Sequence, residues 1–535
     1  MAAVVSLARR EGSWAALVAA ALASLVVAAG LQGVDLAAAV YRVDLFHRAG
    51  LALWDSQWYG GHWTLDYSVL FPAVAATFGM TLTEVLSATV AAWTFDRLVT
   101  AHYGAQARAG SLLFAVGTLA QVAIGQLPFL LGEALALVAL WALSRRLYAV
   151  SLALALAASL ASPLAGAFLC LAAAACLMSA WPRRRLSYLG LAVAAVLAAA
   201  APALLFRGAG PMPFPALDFA VLLVVFAVGI LAVPASHGSL RIAATIYLGA
   251  IVASYVLPTA VGGNISRLGE CVGAPLLTCV LWPQRRRLLA AVALPMLLLQ
   301  WGPAVGTVVR SAGDPSADAA YFRPVLAFLA AHATPRGRVE GVPTALHWEA
   351  AYLAPAIPLA RGWERQLDTA DNPLFYDGTL TAATYRAWLF DNGVRYVALP
   401  DVPLDYAATT EGRLLRAGVP GLRQVWQSTH WRIYALSGAP GMLTGRGEIT
   451  ALGPAAVAIH VDAPGKLVLR IRYSEYWTAV GGRACLTGAP GGWIAINART
   501  AGDLGLRLRF PSSSGDSSCG QPTHAATPTP AAAGH

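Results

Sequence analysis

The sequence predicts a polytopic α-helical membrane protein followed by two extracytoplasmic units, the first α/β and the second a β-sandwich. Three observations carry this expectation. Hydrophobic residues make up 58% of the chain and charged residues only 12%, with a mean hydropathy of +0.60, which does not fit a soluble globular chain over most of its length. Apolar runs that approach the roughly 20 residues needed to cross a hydrocarbon core recur from Trp14 to Gly306. After Arg310 the composition becomes that of a soluble protein, with short strand and helix patterns punctuated by Gly and Pro.

The apolar runs read as about eleven helices. They lie near 14–33, 69–99 with a break at Gly79, 111–125, 129–144, 148–162, 165–181, 187–205, 218–235, 242–258, 271–282 and 288–306. The first follows Arg9 and Arg10 and is rich in Ala, as a signal peptide would be, but it is too long and leads directly into a polar loop, so it is read as an anchor. Arginines cluster at 9–10, 108, 145–146, 183–185, 241 and 285–287, all on one side of this map. By the positive-inside rule that side is cytoplasmic. The N-terminus is then inside, the loop 34–68 outside, and everything past residue 308 outside. The part before residue 307 carries 17 Lys/Arg against 10 Asp/Glu, the remainder 20 against 17. The net charge of +10 therefore reports topology; no basic, aromatic-interleaved patch of a nucleic-acid binder is present.

In the α/β unit, residues 309–437, buried strands are expected at 338–342, 357–361 and 394–399, helices at 347–353 and 382–389, and closing strands at 422–427 and 431–436. Residues 438–511 alternate as strands at 455–461, 466–473 and 504–510, and the Ser/Pro/Thr/Ala run 512–535 reads as a disordered tail. Four of six cysteines, Cys170, Cys176, Cys271 and Cys279, lie in or beside the helices and read as apolar packing. Cys485 and Cys519 are both external and are expected to pair. No Cys/His spacing has the form of a zinc site. One lysine, Lys466, against 36 arginines, with helices dominated by Ala, reflects the coding bias of a GC-rich bacterial genome.

Candidate chemistry concentrates in the first external loop. Asp44, Asp55 and Asp66, with His47, His62 and several Trp and Tyr, stand in a region that otherwise avoids charge. Leu45, Phe46, Ala49 and Leu53 share a helical face suited to the membrane interface, which leaves Asp44, His47 and Arg48 together at i, i+3 and i+4. Asp44 reads as a general base for an acceptor hydroxyl, with His47 or Arg48 tuning it or holding a phosphate; the alternative is an Asp44/Arg48 surface ion pair. Trp58, Tyr59 and His62, with Gly60 and Gly61 between, offer an aromatic wall for sugar stacking, or else an interfacial aromatic belt. Asp55 and Asp66 are secondary acid/base residues, or ligands if a divalent cation takes part. Glu133 sits inside an apolar helix, where a carboxylate marks either a cavity or a helix-packing pair. Arg267, in the turn Gly262-Gly263-Asn264-Ile265-Ser266-Arg267, suits a lipid phosphate, with a pair to Glu270 as the alternative. The segments around Trp363, Glu364 and Arg365 and around His347 and Glu349 read as the border of an acceptor groove or as a domain-docking surface.

On these features the chain resembles the GT-C superfamily of membrane glycosyltransferases, in particular bacterial, actinobacterial-type members with a C-terminal extracytoplasmic domain. The shared features are many membrane helices, a long first external loop with an acidic residue shortly after helix one (Asp44), a Tyr-x-x-x-x-Pro return into the membrane (Tyr67 to Pro72), and an external C-terminal domain. Asp44-Leu45-Phe46-His47 is similar to the Asp-x-x-His start of such proteins. The paired acidic dipeptide frequent in oligosaccharide- and protein-modifying members is absent. The resemblance implies a polyprenyl-phosphate sugar donor arriving from the membrane lipids and a cell-envelope glycan, lipid or protein acceptor. Asp44 would deprotonate the acceptor and Arg267 stabilise the leaving phosphate. A flippase for a lipid-linked glycan would also use Glu133 and an arginine, and a noncatalytic scaffold presenting a glycan-binding external domain is the third reading.

Overall fold

The computed structural model describes residues 14–65, 67–179, 182–206, 210–332 and 337–509. Helices fill each of the expected apolar stretches: α1 (Trp14–Ala28), α3 (Phe71–Phe78), α4 (Met80–Tyr103), α5 (Arg108–Ile124), α6 (Leu127–Ser144), α7 (Tyr148–Ala161), α8 (Pro163–Ser179), α9 (Pro182–Leu205), α10 (Ala216–Ala232), α11 (Gly238–Val256), α12 (Ser266–Leu281) and α13 (Arg286–Ser311), with α2 (Leu36–Ala49) inserted after the first. Gly79, at φ 86°, separates α3 from α4, a break that needs a residue free to adopt positive φ. Five stretches among the described residues are long and apolar enough to cross a membrane: Met80–Ile124, Leu127–Ser144, Arg185–Pro202, Gly238–Val256 and Arg286–Ser311. The first is two helices joined by the turn Gly104–Ala107 and packed on each other.

The helical half is packed inside out. Its buried faces are largely alanine, such as Ala19, Ala91, Ala115, Ala139 and Ala158, which lets helices approach closely. Its exposed faces carry large apolar side chains, such as Leu25, Val90, Leu156, Leu197, Val224, Leu231 and Leu298; past Val309 the exposed large apolar residues described are only Tyr406 and Tyr473.

The C-terminal half is rich in strands. Strands β3 (Arg338–Gly341), β4 (Val394–Pro400), β5 (Leu422–Gln427) and β6 (Trp431–Leu436) form a sheet ordered β3-β4-β6-β5, parallel only between β3 and β4. Helices α14 (Ala319–His332), α15 (Trp348–Tyr352), α16 (Arg365–Asp371), α17 (Ala382–Asp391) and α18 (Thr409–Ala417) surround it. The expected strand at 357–361 is not formed. It makes one parallel bridge, Val339 to Leu359, with the Val339 N–H on the Pro358 carbonyl and the Ala360 N–H on the Val339 carbonyl, while on its other edge the Leu359 N–H donates to the Gln57 carbonyl of the loop between α2 and α3. Two four-stranded antiparallel sheets follow, assembled from strands between Leu443 and Leu508, and they share one core containing Ile459, Leu469, Ile494 and Leu506. Cys485 is disulfide-bonded; its expected partner Cys519 and the tail 512–535 lie outside the described residues.

The loop 34–68 behaves differently from the surface loop its polarity predicts. Between α2 and α3 it forms a hairpin of β1 (Trp54–Asp55) and β2 (His62–Trp63), and it is wedged between the two C-terminal units. Trp54, Trp63 and Leu65 join the core of the antiparallel sheets, while Ala37, Tyr41, Trp58 and Tyr59 pack with Phe322, Leu346 and Leu353 of the α/β unit. Each buried aromatic of this kind contributes about 4 to 6 kcal/mol of transfer free energy, enough to dominate the polar character of the segment. The buried face of α2 is therefore Ala37, Ala38, Tyr41, Arg42 and Leu45, whereas Ala49 is exposed. The expected interface face through Phe46, Ala49 and Leu53 is replaced because protein covers the other side.

Candidate functional site

A cavity of about 500 Å³ opens where the helices meet the C-terminal half. Its apolar wall comes from Phe129 on α6, Leu164 and Ala167 on α8, and Val196, Ala199 and Ala200 on α9. Its polar end gathers Asp35, Tyr67, Arg267 and the run Trp363 to Gln366. Asp35 precedes α2 at the N-cap position, yet its side chain makes no cap bond. Its backbone is in the helical region, at φ −84° and ψ −10°, rather than the extended conformation of a capping residue, and the carboxylate meets Arg267 Nη2 at 3.3 Å. The backbone N–H of Asp35 donates to the Ile124 carbonyl at the end of α5. Gly33 permits that approach, since a Cβ there would lie 2.2 Å from the Ile124 backbone. Arg267 rises from the first turn of α12, its guanidinium 5.7 Å from the Phe129 ring centre.

Behind this surface, charges are paired. Glu364 accepts from Arg42 Nη2 at 2.8 Å, and the same nitrogen meets His62 Nε2 at 2.8 Å. Burial pushes the Glu364 carboxyl up, and Arg42 pulls it part of the way back. Burial also drives the His62 ring well below its usual value, with Arg42 adding to the effect, so the ring is neutral and accepts at Nε2. Tyr59 OH donates to the Glu364 carbonyl and accepts from the Glu364 N–H. Trp363 Nε1 donates to the Val34 carbonyl at 2.9 Å, so both sides of the cavity mouth are tied together. Arg365 binds Asp405 through two hydrogen bonds, 3.0 and 2.8 Å, and lies against Trp363 and Tyr406. Trp363 in turn stacks on His347, centroids 3.4 Å apart.

The residues expected from sequence fall in four places. Arg267 lines the cavity. Asp44 does not: it is half-exposed and pairs with Arg48 at 2.7 Å, the surface-pair alternative, worth under about 1 kcal/mol, and His47 lies beside them with Nε2 3.4 Å from the Ala76 carbonyl. Asp55, Trp58, Tyr59 and His62 are buried behind the cavity, so Trp58 and Tyr59 are docking residues and offer no sugar platform. Asp55 accepts from Tyr41 OH at 2.7 Å and from the Gln57 N–H, and burial raises its carboxyl against the pull of Arg42. Glu133 is buried among helices and accepts from Gln121 Nε2 at 2.7 Å, as a helix-packing pair would. Asp66 lies outside the described residues. Sequence reasoning passed over Asp35, Tyr67 and Arg42 as site residues, while it did single out the 363–365 segment. An Asp before Leu-Ala-Ala-Ala reads as a plain helix cap, and only the missing cap bond distinguishes it.

Chemically, the cavity presents a carboxylate able to accept a proton, a permanently charged fork suited to phosphate, and a hydrocarbon wall. Among the described residues no group of three His, Cys, Asp or Glu is arranged to hold a metal ion. Compared with known proteins, the chain matches no protein-family model and no curated protein sequence.

Proposed function

We propose that the chain is an integral-membrane glycosyltransferase of GT-C type that moves a sugar from a polyprenyl-phosphate donor to an extracytoplasmic glycan, lipid or protein acceptor. The observation that carries this reading is the two-sided character of the cavity. Asp35, Tyr67 and Arg267 gather at one end and an apolar helix wall at the other, which suits a ligand with a sugar-phosphate head and a hydrocarbon tail. The exposed Leu and Val faces of the helical half and the arginine asymmetry support about eleven crossings, an internal N-terminus and an external C-terminal half. The acidic residue after helix one, which the family resemblance requires, is then Asp35 rather than Asp44.

In this reading Asp35 takes the proton of the acceptor hydroxyl as its oxygen bonds to the anomeric carbon. The bond from that carbon to the phosphate oxygen breaks, and the phosphate leaves with its charge beside Arg267. Transfer from a labelled polyprenyl-phosphate sugar in membranes tests it. Asp35→Asn should lower turnover by about 10²- to 10⁴-fold with no loss of donor binding, Arg267→Ala should weaken donor binding, and Asp44→Asn should act like the parent protein. Full turnover in Asp35→Asn removes Asp35 as the base. A flippase of lipid-linked glycan is the second reading, favoured by the polar pair Glu133–Gln121 inside the helices; transbilayer movement of the donor without transfer would select it.

A further inference from the structure

Three ion pairs stand at the described cavity wall, and they differ in kind. Arg42 and Glu364 meet at 2.8 Å with both side chains almost fully covered, 3% and 8% exposed. Arg365 and Asp405 make two bonds at about 10% exposure, with Tyr376 OH as a further partner of the arginine. Asp35 and Arg267 make a single 3.3 Å contact, and their side chains are 28% and 22% exposed. The first two pairs are built into the wall. The third joins α2 to α12, uses one of the five N–H donors of the guanidinium, and faces the cavity. The backbone of Asp35 is already helical, at φ −84° and ψ −10°, and its side chain makes no cap bond, so its carboxylate is held by Arg267 alone among the contacts described.

We propose that the Asp35–Arg267 pair is a latch that the phosphate of a lipid-linked donor opens: the phosphate takes Arg267, and Asp35 is released into the cavity as the base for the acceptor. This rests on the glycosyltransferase reading and adds an order to it, donor before acceptor. A phosphodiester presents two oxygens to the guanidinium fork where Asp35 offers one long contact, so the exchange favours the phosphate. No proton moves in the exchange and no bond is broken; one ion pair replaces another. The apolar wall of α6, α8 and α9 selects a lipid phosphate over free phosphate.

Binding to the full-length protein in detergent, followed by tryptophan fluorescence, tests the latch with a polyprenyl monophosphate and with inorganic phosphate as probes. Removing the competing carboxylate in Asp35→Asn should tighten polyprenyl phosphate binding by about two- to five-fold, the strength of a partly exposed ion pair. Arg267→Ala should weaken binding, and in the Arg267→Ala background Asp35→Asn should bring no gain. If Asp35→Asn fails to fold, Asp35→Ser, which keeps an N-cap side chain at the helix start, carries the same comparison. Binding by the parent protein with no gain in the Asp35 variant overturns the latch and leaves the cavity reading standing. No binding of polyprenyl phosphate by the folded parent protein overturns the glycosyltransferase reading and the latch with it. Inorganic phosphate binding as tightly as the lipid phosphate overturns the lipid as the source of the headgroup.

Discussion

Asp35 and Asp44 are nine positions apart on the same stretch of chain, and what distinguishes them is what each faces. Asp44 looks outward from α2 and finds Arg48 one turn away, while Asp35 sits at the helix start against Arg267. The same logic applies to the tryptophans. Trp58 is fully buried, stacked on Tyr41 at 4.2 Å and packed so tightly under Gly362 that a Cβ there would come within 2.4 Å of its ring. Trp58→Ala should lower stability by about 3 to 5 kcal/mol, read as a fall in the thermal unfolding midpoint of the purified protein. A sugar-binding tryptophan would instead lose affinity with little loss of stability, so an unchanged midpoint would contradict the docking role.

The elements of the α/β unit are joined by a buried charge network. Arg361 places Nε and Nη2 on Asp368 at 3.0 and 2.6 Å and Nη1 on Glu411 at 3.3 Å, with Glu340 at 3.8 Å. One guanidinium facing three carboxyls in a dry interior cannot keep all of them ionised. Burial pushes Glu411 up to about 7, against the pull of Arg361 and the hydrogen bond from Tyr385, and Glu340 also rises well above the usual carboxylate range through burial and the neighbouring Glu411. A carboxyl held above its unfolded value binds its proton more tightly when folded. Its contribution to stability is therefore complete below about pH 4.5 and is lost as the pH rises through about 7. Unfolding midpoints of the protein should fall across that window, with a slope of about 1.4 kcal/mol per pH unit while one proton is lost. Glu411→Gln should flatten the slope; an unchanged slope would mean that another group titrates there. Elsewhere the elements are stitched by arginine to backbone. Arg472 donates to the Tyr59 and Gly491 carbonyls, and Arg470 to those of Asp391 and Gly441, which locks loop, sheet and antiparallel unit together.

For the molecule as a whole, the proposed topology sets Ala49 and Ser437, both exposed, on the external side and Ser144, also exposed, on the cytoplasmic side. Cysteine introduced at the first two positions should react with an impermeant reagent added to intact cells, and cysteine at Ser144 only after permeabilisation. The reverse pattern would overturn the orientation and the external placement of the cavity mouth. Ser56, central to the polar loop, is fully buried and would not report sidedness in either arrangement. The wedged loop also means that the C-terminal half does more than hang from the last helix: it closes over the helices and supplies Trp363 to Gln366 to the cavity, so changes at that seam should act on ligand binding as well as on stability.

Composition and periodicity, which are local properties, made the division into an apolar helical half and a strand-rich C-terminal half legible, along with most strand positions in the latter. The Gly-rich turn that carries Arg267 was legible for the same reason, since a forked cation there is uncommon in an apolar region. The failures share one cause. Asp35 meets a partner 232 residues away and Arg42 one 322 residues away, and no local pattern encodes such meetings. A polar, aromatic loop reads as exposed until the units that bury it are in place. Which carboxylate faces the cavity, and which tryptophans became core, was decided by the C-terminal half folding back over the loop between α2 and α3, where burying the large aromatic side chains outweighs keeping the segment in water.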